Sequence, residues 1–375
     1  MPTNMVSETD SDYIVQATVN HTVRLFLFFK NYDKVNLSRN TEEKNMVSIY
    51  GTFGPACCER EILEKMFRAG MTGMRLNLSH TSLAESGEWV AAFHAAACAA
   101  GVQPELLIDM QGPELRIGVL PEALTLIEGE TVVLGKEGIP VPEETLPVMY
   151  AGDEVVLDDG KISVRITANN GSGVEATVLR GGVLTSRKSI KLKNPAAVVE
   201  MPVLTDHDLH NVRMAAQYGV TGLMQPFVRS GEELRRVRAA LNENGGESVK
   251  IFAKIENMQG VENLEDILPH ADVVIIARGD LGNDMELWQL PAVQKDISEV
   301  CRMHGKPFVV VTQMLASMEH SPVPTRAEVS DIFNAVTDGA CGVMVTGETA
   351  VGSYPVEAIR YLANTARSAR QWLEK

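Results

Sequence analysis

The sequence predicts an α/β fold in which a (β/α)8 barrel, or TIM barrel, carries a small inserted all-β domain. Short runs that are apolar on both faces alternate with helix-like stretches along the 375-residue chain, as is typical of parallel strands covered by helices. The predicted strands are VSIYGTF (47–53), GMRLNL (73–78), ELLIDM (105–110), GLMQPF (222–227), KIFAKI (250–255), DVVIIA (272–277), FVVVTQM (308–314) and GVMVTGE (342–348). Eight strand–helix pairs favour a closed barrel, with a doubly wound open sheet as the alternative.

The predicted helices lie between these strands and have ordinary start and stop signals. They cover residues 59–69, 82–100, 206–218, 231–243, 260–268, 288–304, 325–338 and 355–373. Thr205, Asp206 and Ser230 are residue types that cap helix N-termini. Glycines stand where the residue after a helix often takes a left-handed conformation. These are Gly70, Gly101, Gly219, Gly305 and Gly339.

The segment from residue 116 to 195 breaks this rhythm. It alternates apolar and polar residues with a period of two, is dense in Gly and Asp turns and has no helical pattern. These features indicate antiparallel hairpins. The sequence therefore predicts a β domain at 116–195, inserted after the third strand of a barrel formed by residues 46–115 and 196–375. Residues 1–45 are expected to be an N-terminal extension that is partly disordered.

Composition narrows the classes of partner. The formal net charge of −15 argues against nucleic acid or an anionic membrane as the main partner. No apolar run reaches the roughly 18 residues needed to span a bilayer. The five cysteines are odd in number and form no CxxC motif, so a disulfide scaffold is not expected. We therefore expect a cytoplasmic protein with reduced thiols.

Polar side chains end the second and third predicted strands, where barrels gather their active residues. Arg75 and Asn77 share one face of a strand, as do Asn77 and Ser79, and Asp109 ends the next strand. An arginine on a barrel strand needs a partner, so Arg75 indicates either an anion site or a salt bridge to a neighbouring strand. Side-chain oxygens that converge from adjacent strands suit a hard cation.

The fifth and sixth strands predict a second group of charges. Lys254 and Glu256 lie two residues apart on one face, and the sixth strand ends in ARGDLG with Arg278 and Asp280. Lys254 and Glu256 alone could be no more than a satisfied ion pair. Glu256 with Asp280 is typical of a sparse Mg²⁺ site, which leaves positions for water and phosphate oxygens. Together these groups could polarise a carbonyl or move a phosphoryl group.

The strand-end motifs, taken together, resemble those of the pyruvate kinase family. TFGPA, MRLNLSH, IDMQGPELRIG, DDGKI, AKIEN, ARGDLG, TQMLASM, PTRAEVSDIFNAVTDG and GETAVGSYP occur in the family's order over residues 46–373. PTRAE with its flanks and GETAxGxYP are the most specific of these motifs. The resemblance implies a metal-dependent phosphotransferase that converts phosphoenolpyruvate and ADP to pyruvate and ATP.

Three groups of residues acquire roles from this resemblance. Those that would bind substrate and act in catalysis are Arg75, Lys254, Gly279, Asp280 and Thr312. Those that would hold metal ions are Glu256 and Asp280 for Mg²⁺ or Mn²⁺, and Asn77, Ser79, Asp109 and the Met110 carbonyl for K⁺. Those that would contact nucleotide are Arg116, Lys188 and Asp159 of the inserted domain with Thr52 and His80 of the barrel mouth. Arg75 would bind the transferred phosphate, Lys254 would neutralise its charge, and Thr312 would lie near the carbon that is protonated.

Several positions depart from the family's pattern. Gln111 stands where the family has Lys, Pro226 where it has Ser, and Asn283 where an apolar residue is common. Two alternatives stay open: a lyase or aldolase that acts on a pyruvate enolate, since related barrels share the metal carboxylates and the Arg, and a paralogue that binds ligands without turnover, which Gln111 and Pro226 support. The β insertion with Arg116 and Lys188 favours the kinase.

Regulation and assembly are the last expectations. The predicted final helix ends at residue 373 of 375, which leaves no room for the family's C-terminal regulatory domain, so we expect no response to fructose 1,6-bisphosphate. Glu114 stands where potassium-independent relatives tend to carry Lys, so K⁺ is expected to stimulate turnover. Homo-oligomers through the barrel helices are expected.

Overall fold

The structure is a computed structural model that describes residues 46–375 except positions 80, 159, 172, 195–198 and 200. The N-terminal extension expected at residues 1–45 lies outside the described residues, and so do His80 and Asp159. The sequence-based expectations for these positions stay predictions.

Eight parallel strands form the closed barrel. They are β1 (Ser48–Thr52), β2 (Gly73–Asn77), β3 (Glu105–Asp109), β11 (Gly222–Gln225), β12 (Lys250–Ile255), β13 (Val273–Ala277), β14 (Phe308–Val311) and β15 (Gly342–Met344). Each strand pairs with its neighbour in sequence, and β15 pairs with β1 to close the barrel. This confirms the predicted (β/α)8 barrel, and the alternative of an open sheet was wrong.

Side chains that point into the barrel change from apolar to charged toward the C-terminal ends of the strands. Residues two apart on a strand share a face. Leu107 and Phe252 belong to an apolar cluster of strand residues inside the barrel, and Asp109 and Lys254 follow them by two residues. The same strands therefore fill the interior and then present charge at the end where barrels place their active sites.

Helices cover the outside of the barrel. The longer ones are α1 (Arg60–Arg68), α2 (Gly87–Ala100), α3 (Asp206–Met214), α4 (Gly231–Glu243), α8 (Leu290–Met303), α9 (Arg326–Thr337) and α11 (Pro355–Leu373). Short ones are α5 (Met258–Glu262), α6 (Leu264–Ile267), α7 (Arg278–Leu281) and α10 (Gly347–Ala350). Single 3-10 turns cover Glu143–Val148, Leu268–His270 and Ala316–Glu319.

Three predicted helices differ from the observed ones. The helix predicted at 206–218 ends at Met214. The helix predicted at 260–268 is split into α5 and α6, because Asn263 ends the first and begins the second. The helix predicted at 82–100 begins only at Gly87. Before it, the amide of Ser82 donates to the Glu85 carboxylate at 2.8 Å and holds a turn.

The observed helix caps agree in part with those predicted from the sequence. Thr205 caps α3 in a reciprocal capping box with Asp208, which makes Asp206 the first helical residue rather than a cap. Ser230 occupies the N-cap of α4 without a side-chain cap bond, and the amide of Gly231, the first helical residue, donates to Asp266 at 2.7 Å. The five predicted C-terminal glycines all have positive φ.

Antiparallel β structure lies between barrel strands β3 and β11. Its strands are β4 (Leu124–Leu126), β5 (Thr131–Gly135), β6 (Glu154–Leu157), β7 (Ile162–Asn169), β8 (Gly173–Arg180), β9 (Gly182–Leu184) and β10 (Ile190–Leu192). Five of them form a sheet in the order β10-β6-β7-β8-β5, and β4 pairs with β9. This insertion has an apolar core of its own, which confirms a small β unit inserted into the barrel. No helix of the described part of the chain is long and apolar enough to cross a bilayer.

Candidate active site

Four charged side chains form a continuous chain of ion pairs at the C-terminal end of the barrel. Arg75 Nε lies 2.7 Å from Asp109 Oδ2. Lys254 Nζ lies 3.2 Å from Asp109 Oδ2 and 2.9 Å from Glu256 Oε1. The carboxylates are buried, and the side chains of Arg75 and Lys254 are only 16% and 13% exposed. The salt bridge considered for Arg75 and the ion pair considered for Lys254 are therefore both present in this charged cluster.

The charged cluster keeps Asp109 and Lys254 ionised. Burial favours the neutral form of Asp109, but the charges of Lys254 and Arg75 outweigh burial and lower the pKa of Asp109. Burial likewise opposes the charge of Lys254, yet Asp109 and Glu256 raise the pKa of Lys254 above its ordinary value. Lys254 is therefore an ammonium group at any physiological pH, fixed by two carboxylates and ready to face an anion.

Glu256 and Asp280 fit a divalent cation. Burial raises the pKa of Glu256 to about 7; Lys254 opposes the shift, whereas Asp280 and Asp109 add to it. Two carboxylates close enough to favour protonation of one of them are an arrangement that a hard cation relieves. Among the described residues no group of three or more His, Cys, Asp or Glu side chains could hold a metal, so water or substrate oxygens would have to complete the ligand set.

The residues predicted to hold K⁺ lie at the ends of β2 and β3. Asn77 and Asp109 are direct partners in the register of these strands. The amide of Ser79 donates to Asn77 Oδ1 at 3.1 Å, and that oxygen keeps a second lone pair. The backbone amide of Met110 donates to Met224 O at 3.1 Å. These neutral and anionic oxygens are of the type that a hard monovalent cation takes.

The end of β14 has an unusual backbone. Thr312 and Gln313 have φ values of 80° and 54°, a left-handed region that is costly for residues with a side chain, above all for a β-branched one. Thr312 lies against Gly279, since a Cβ added to Gly279 would be 2.9 Å from Thr312 Cγ2. The structure therefore brings Thr312 next to the residue that precedes Asp280.

Two side chains that hold these strand ends were not given a role from the sequence. The guanidinium group of Arg278 contacts the Thr312 carbonyl and Asp331. Buried Glu348 accepts from the amide of Leu315 at 3.0 Å and from that of Thr346 at 2.7 Å. For Arg278, a charged residue directly after an apolar strand was the available signal, but its partners Thr312 and Asp331 lie 34 and 53 residues away in the sequence.

The residues predicted to contact nucleotide lie in two places. Arg116 pairs with Glu114 at 2.6 Å, and Lys188 pairs with Asp158 at 2.8 Å. The backbone segments of Arg116 and Lys188 run side by side where the insertion joins the barrel, because the amide of Ile117 donates to Lys188 O at 2.8 Å. Among the described residues, neither side chain hydrogen-bonds to the charged cluster.

Thr52 is buried at the end of β1. Its hydroxyl donates to the carbonyl of Val345 at 2.9 Å, and its amide donates to Thr349 Oγ1 at 2.8 Å. In this structure the side chain thus ties β1 to the segment after β15.

A salt bridge joins the insertion to the barrel. Lys191 on β10 pairs with Asp284, which follows α7 in the loop after the sixth barrel strand. The other oxygen of Asp284 accepts from the amide of Met258 at 3.0 Å. Met258 and Asp284 follow Glu256 and Asp280 by a few residues, so this contact connects the insertion to both loops that carry the candidate metal ligands.

Two positions that depart from the family pattern have clear structural roles. The hydroxyl of Thr205 donates to Gln111 Oε1 at 3.3 Å. Pro226 packs over Gly112, whose φ is 62° and where an added Cβ would be 2.4 Å from Pro226 Cγ. Gln111 thus joins the segment that leaves β3 to the N-terminus of α3, and Pro226 packs against the same segment.

Comparison with known proteins identifies the family to which the barrel belongs. The family model "Pyruvate kinase, barrel domain" matches residues 44–359. The chain belongs to the pyruvate kinase family. A family member named pyruvate kinase from Geobacillus stearothermophilus is 36% identical over 342 residues, which are 88% of this chain and 58% of that protein. Pyruvate kinases from Clostridium acetobutylicum and Thermococcus litoralis are 35% and 34% identical over 85% and 87% of this chain and 69% and 70% of their own lengths.

This chain thus spans little more than half the length of the Geobacillus pyruvate kinase. The matched part includes all eight barrel strands and the β insertion of the described structure, and it ends within α11. The match therefore covers the part of the chain that carries the charged cluster.

Proposed function

We propose that this chain is a phosphotransferase of the pyruvate kinase type, which transfers the phosphoryl group of phosphoenolpyruvate to ADP and yields pyruvate and ATP. The observation that carries the proposal is the buried ammonium group of Lys254, held between two carboxylates beside Arg75. Preorganised positive charge in a dry site is what phosphoryl transfer needs. The inserted β unit with Arg116 and Lys188 adds cations suited to nucleotide phosphates.

In this proposal a β-phosphate oxygen of ADP attacks the phosphorus of phosphoenolpyruvate, and the bond from phosphorus to the enol oxygen breaks. The electron pair stays on the pyruvate enolate, whose methylene carbon then takes a proton beside Thr312. Arg75 and Lys254 bind and neutralise the phosphoryl oxygens in transit, and Gly279 and Asp280 orient the carboxylate end of the substrate. Glu256 and Asp280 would hold Mg²⁺ or Mn²⁺, which supplies charge stabilisation for the phosphoryl oxygens.

The remaining sites of the proposal follow from the same family pattern. Asn77, Ser79, Asp109 and the Met110 carbonyl would hold K⁺, and nucleotide would lie toward Arg116 and Lys188, with Asp159, His80 and Thr52 nearby. All five cysteines of the chain are free thiols, which supports a reducing, cytoplasmic setting.

The test is a coupled assay of pyruvate formation with the purified chain, phosphoenolpyruvate, ADP and Mg²⁺. We expect turnover that requires both substrates and is faster in K⁺ than in Na⁺ buffer, because Glu114 stands where potassium-independent relatives tend to carry Lys. Glu256→Gln serves as the inactive control. No pyruvate from the wild-type chain, or turnover that survives an excess of chelator, would refute the phosphotransferase assignment.

A further inference from the structure

The geometry points to Arg278 as a positioning residue that sets the backbone of Thr312, and so the protonation step of the reaction; the inference rests on the proposed function. Arg278 begins α7, and its side chain reaches across to the end of the next barrel strand. It would act on the enolate only through Thr312, while Asp331 of α9 orients the guanidinium group from behind.

All three nitrogens of the Arg278 guanidinium group have a hydrogen-bond partner. Nε and Nη2 both donate to the Thr312 carbonyl, at 3.1 and 2.6 Å. Nη1 lies 2.6 Å from Asp331 Oδ2, and the Arg278 side chain is only 12% exposed. A planar fork that grips one carbonyl with two donors fixes direction as well as distance, which a lysine cannot do.

The carbonyl that Arg278 holds belongs to a strained residue. Thr312 is β-branched and has φ of 80°, and Gln313 after it is also left-handed. Such conformations persist only where the surroundings over-determine them, and they cluster at functional sites. Two hydrogen bonds to the Thr312 carbonyl are a direct means of holding this peptide in place.

The strained residue faces the candidate metal loop. Thr312 Cγ2 would be 2.9 Å from a Cβ at Gly279, so only a glycine permits this approach. Gly279 lies between Arg278, which grips Thr312, and Asp280, which is a candidate metal ligand. The backbone of α7 and the side chain of Arg278 thus fix the sixth and seventh strand ends relative to each other.

Asp331 gives this arrangement an anchor outside the site. It lies on α9, and its side chain is 34% exposed. Replacing Asp331 therefore alters the hold on Arg278 without touching the charged cluster. The effect of an Asp331 substitution therefore shows whether Arg278 acts by positioning Thr312 or by contacting the substrate directly.

The experiment compares Arg278→Lys and Asp331→Asn with Asp338→Asn. Asp338 follows the last residue of the same helix and pairs with Lys295 at 2.5 Å, so it is a matched control whose ion pair lies outside the Arg278–Thr312 contact. Three quantities are measured: the Thr312 backbone in crystal structures, the exchange of pyruvate methyl protons with D₂O in the presence of ATP and Mg²⁺, and the KM for phosphoenolpyruvate.

We expect Thr312 to relax to negative φ in Arg278→Lys and proton exchange to fall about tenfold or more, with a smaller fall in Asp331→Asn. The KM for phosphoenolpyruvate should change less than about twofold, because Arg75 and Lys254 are untouched. Asp338→Asn should match the wild type in all three measurements. Asp331→Glu, which keeps the acid, should recover part of the exchange rate.

Retention of the left-handed Thr312 backbone in Arg278→Lys would overturn the inference, whatever the protein's activity. So would a relaxed backbone with an exchange rate equal to that of the wild type. A wild-type chain that forms no pyruvate and exchanges no protons would instead refute the proposed function, and the backbone measurement alone would then decide whether Arg278 positions Thr312.

Discussion

Lys254 is at the centre of the site because it forms ion pairs with two carboxylates. Asp109 lies 3.2 Å from Lys254 Nζ and Glu256 2.9 Å, and both are buried. Arg75 takes part of the charge of Asp109, but Glu256 has Lys254 as its only cation among the described residues. Buried pairs of this kind contribute little net stability, whereas removal of one partner is costly.

Lys254→Met is therefore expected to lower both turnover and stability. Turnover should fall about 10²- to 10³-fold because charge complementary to the phosphoryl group is lost, and the unpaired Glu256 should reduce the free energy of unfolding by about 3 kcal/mol. Lys254→Arg is the control, since it keeps the charge and should keep most of the stability. Steady-state rates and denaturant unfolding measure the two effects. A folded Met variant within about tenfold of wild-type turnover would show that Lys254 is only structural.

At the scale of elements, the N-terminus of α9 is organised by one carboxylate. Glu328 accepts from the amides of Thr325 and Ser317, each at 2.7 Å. Burial favours the neutral form of Glu328, but hydrogen bonds from Ser317 and Thr325 outweigh it and lower its pKa. The 3-10 turn after β14 is thereby fastened to the helix that carries Asp331.

Glu328→Gln is expected to destabilise the protein by about 1 kcal/mol at neutral pH, as the loss of a helix cap does. A lowered pKa means that the ionised carboxylate stabilises the fold above its unfolded pKa, and that this contribution is lost as pH falls through the folded value. The difference between variant and wild type should therefore shrink below about pH 4. Urea unfolding at neutral and acidic pH measures it, and a difference that stays constant with pH would contradict the assignment.

The contact between the β insertion and the barrel is a second element-scale feature. Lys191→Ala removes the pair with Asp284 and frees the loops that follow Glu256 and Asp280. We expect a several-fold higher KM for ADP with a smaller change in the KM for phosphoenolpyruvate. Lys193→Ala is the matched control, because Lys193 pairs with Glu154 inside the insertion at 3.6 Å. Equal kinetics of the two variants would show that the Lys191 pair has no part in nucleotide binding.

For the whole molecule, the sequence was sufficient for the barrel and for the placement of most charged residues. The short runs that are apolar on both faces predicted the strands. The position of Arg75, Asp109 and Lys254 toward the C-terminal ends of their strands predicted that they lie at the same end of the barrel. Ser230 takes the predicted N-cap position, but the bond from the Gly231 amide to Asp266, 35 residues away, and the split of the helix at Asn263 could not be predicted from the local pattern. The left-handed Thr312 and its Arg278–Asp331 support depend on residues 34 and 53 positions apart, a pairing that no local signal contains.

The barrel and the insertion have separate apolar cores, so a ligand of the barrel should stabilise one of them in particular. Binding to the native state alone raises stability by RT ln(1 + [L]/Kd), which is about 2.7 kcal/mol at a hundredfold excess over Kd. We expect Mg²⁺ with phosphoenolpyruvate to raise the melting transition of the barrel in calorimetry, and neither ligand alone to match the pair. In the wild-type chain the backbone amide of Phe227 donates to Glu256 Oε2 at 2.9 Å. The side-chain oxygen of the glutamine in Glu256→Gln can accept the same bond, so the ligand-free variant should fold. The ligand-induced shift should nevertheless be lost, because a neutral amide replaces one of two carboxylates that fit the cation. An equal shift in the variant and the wild type would mean that Glu256 does not ligate the metal.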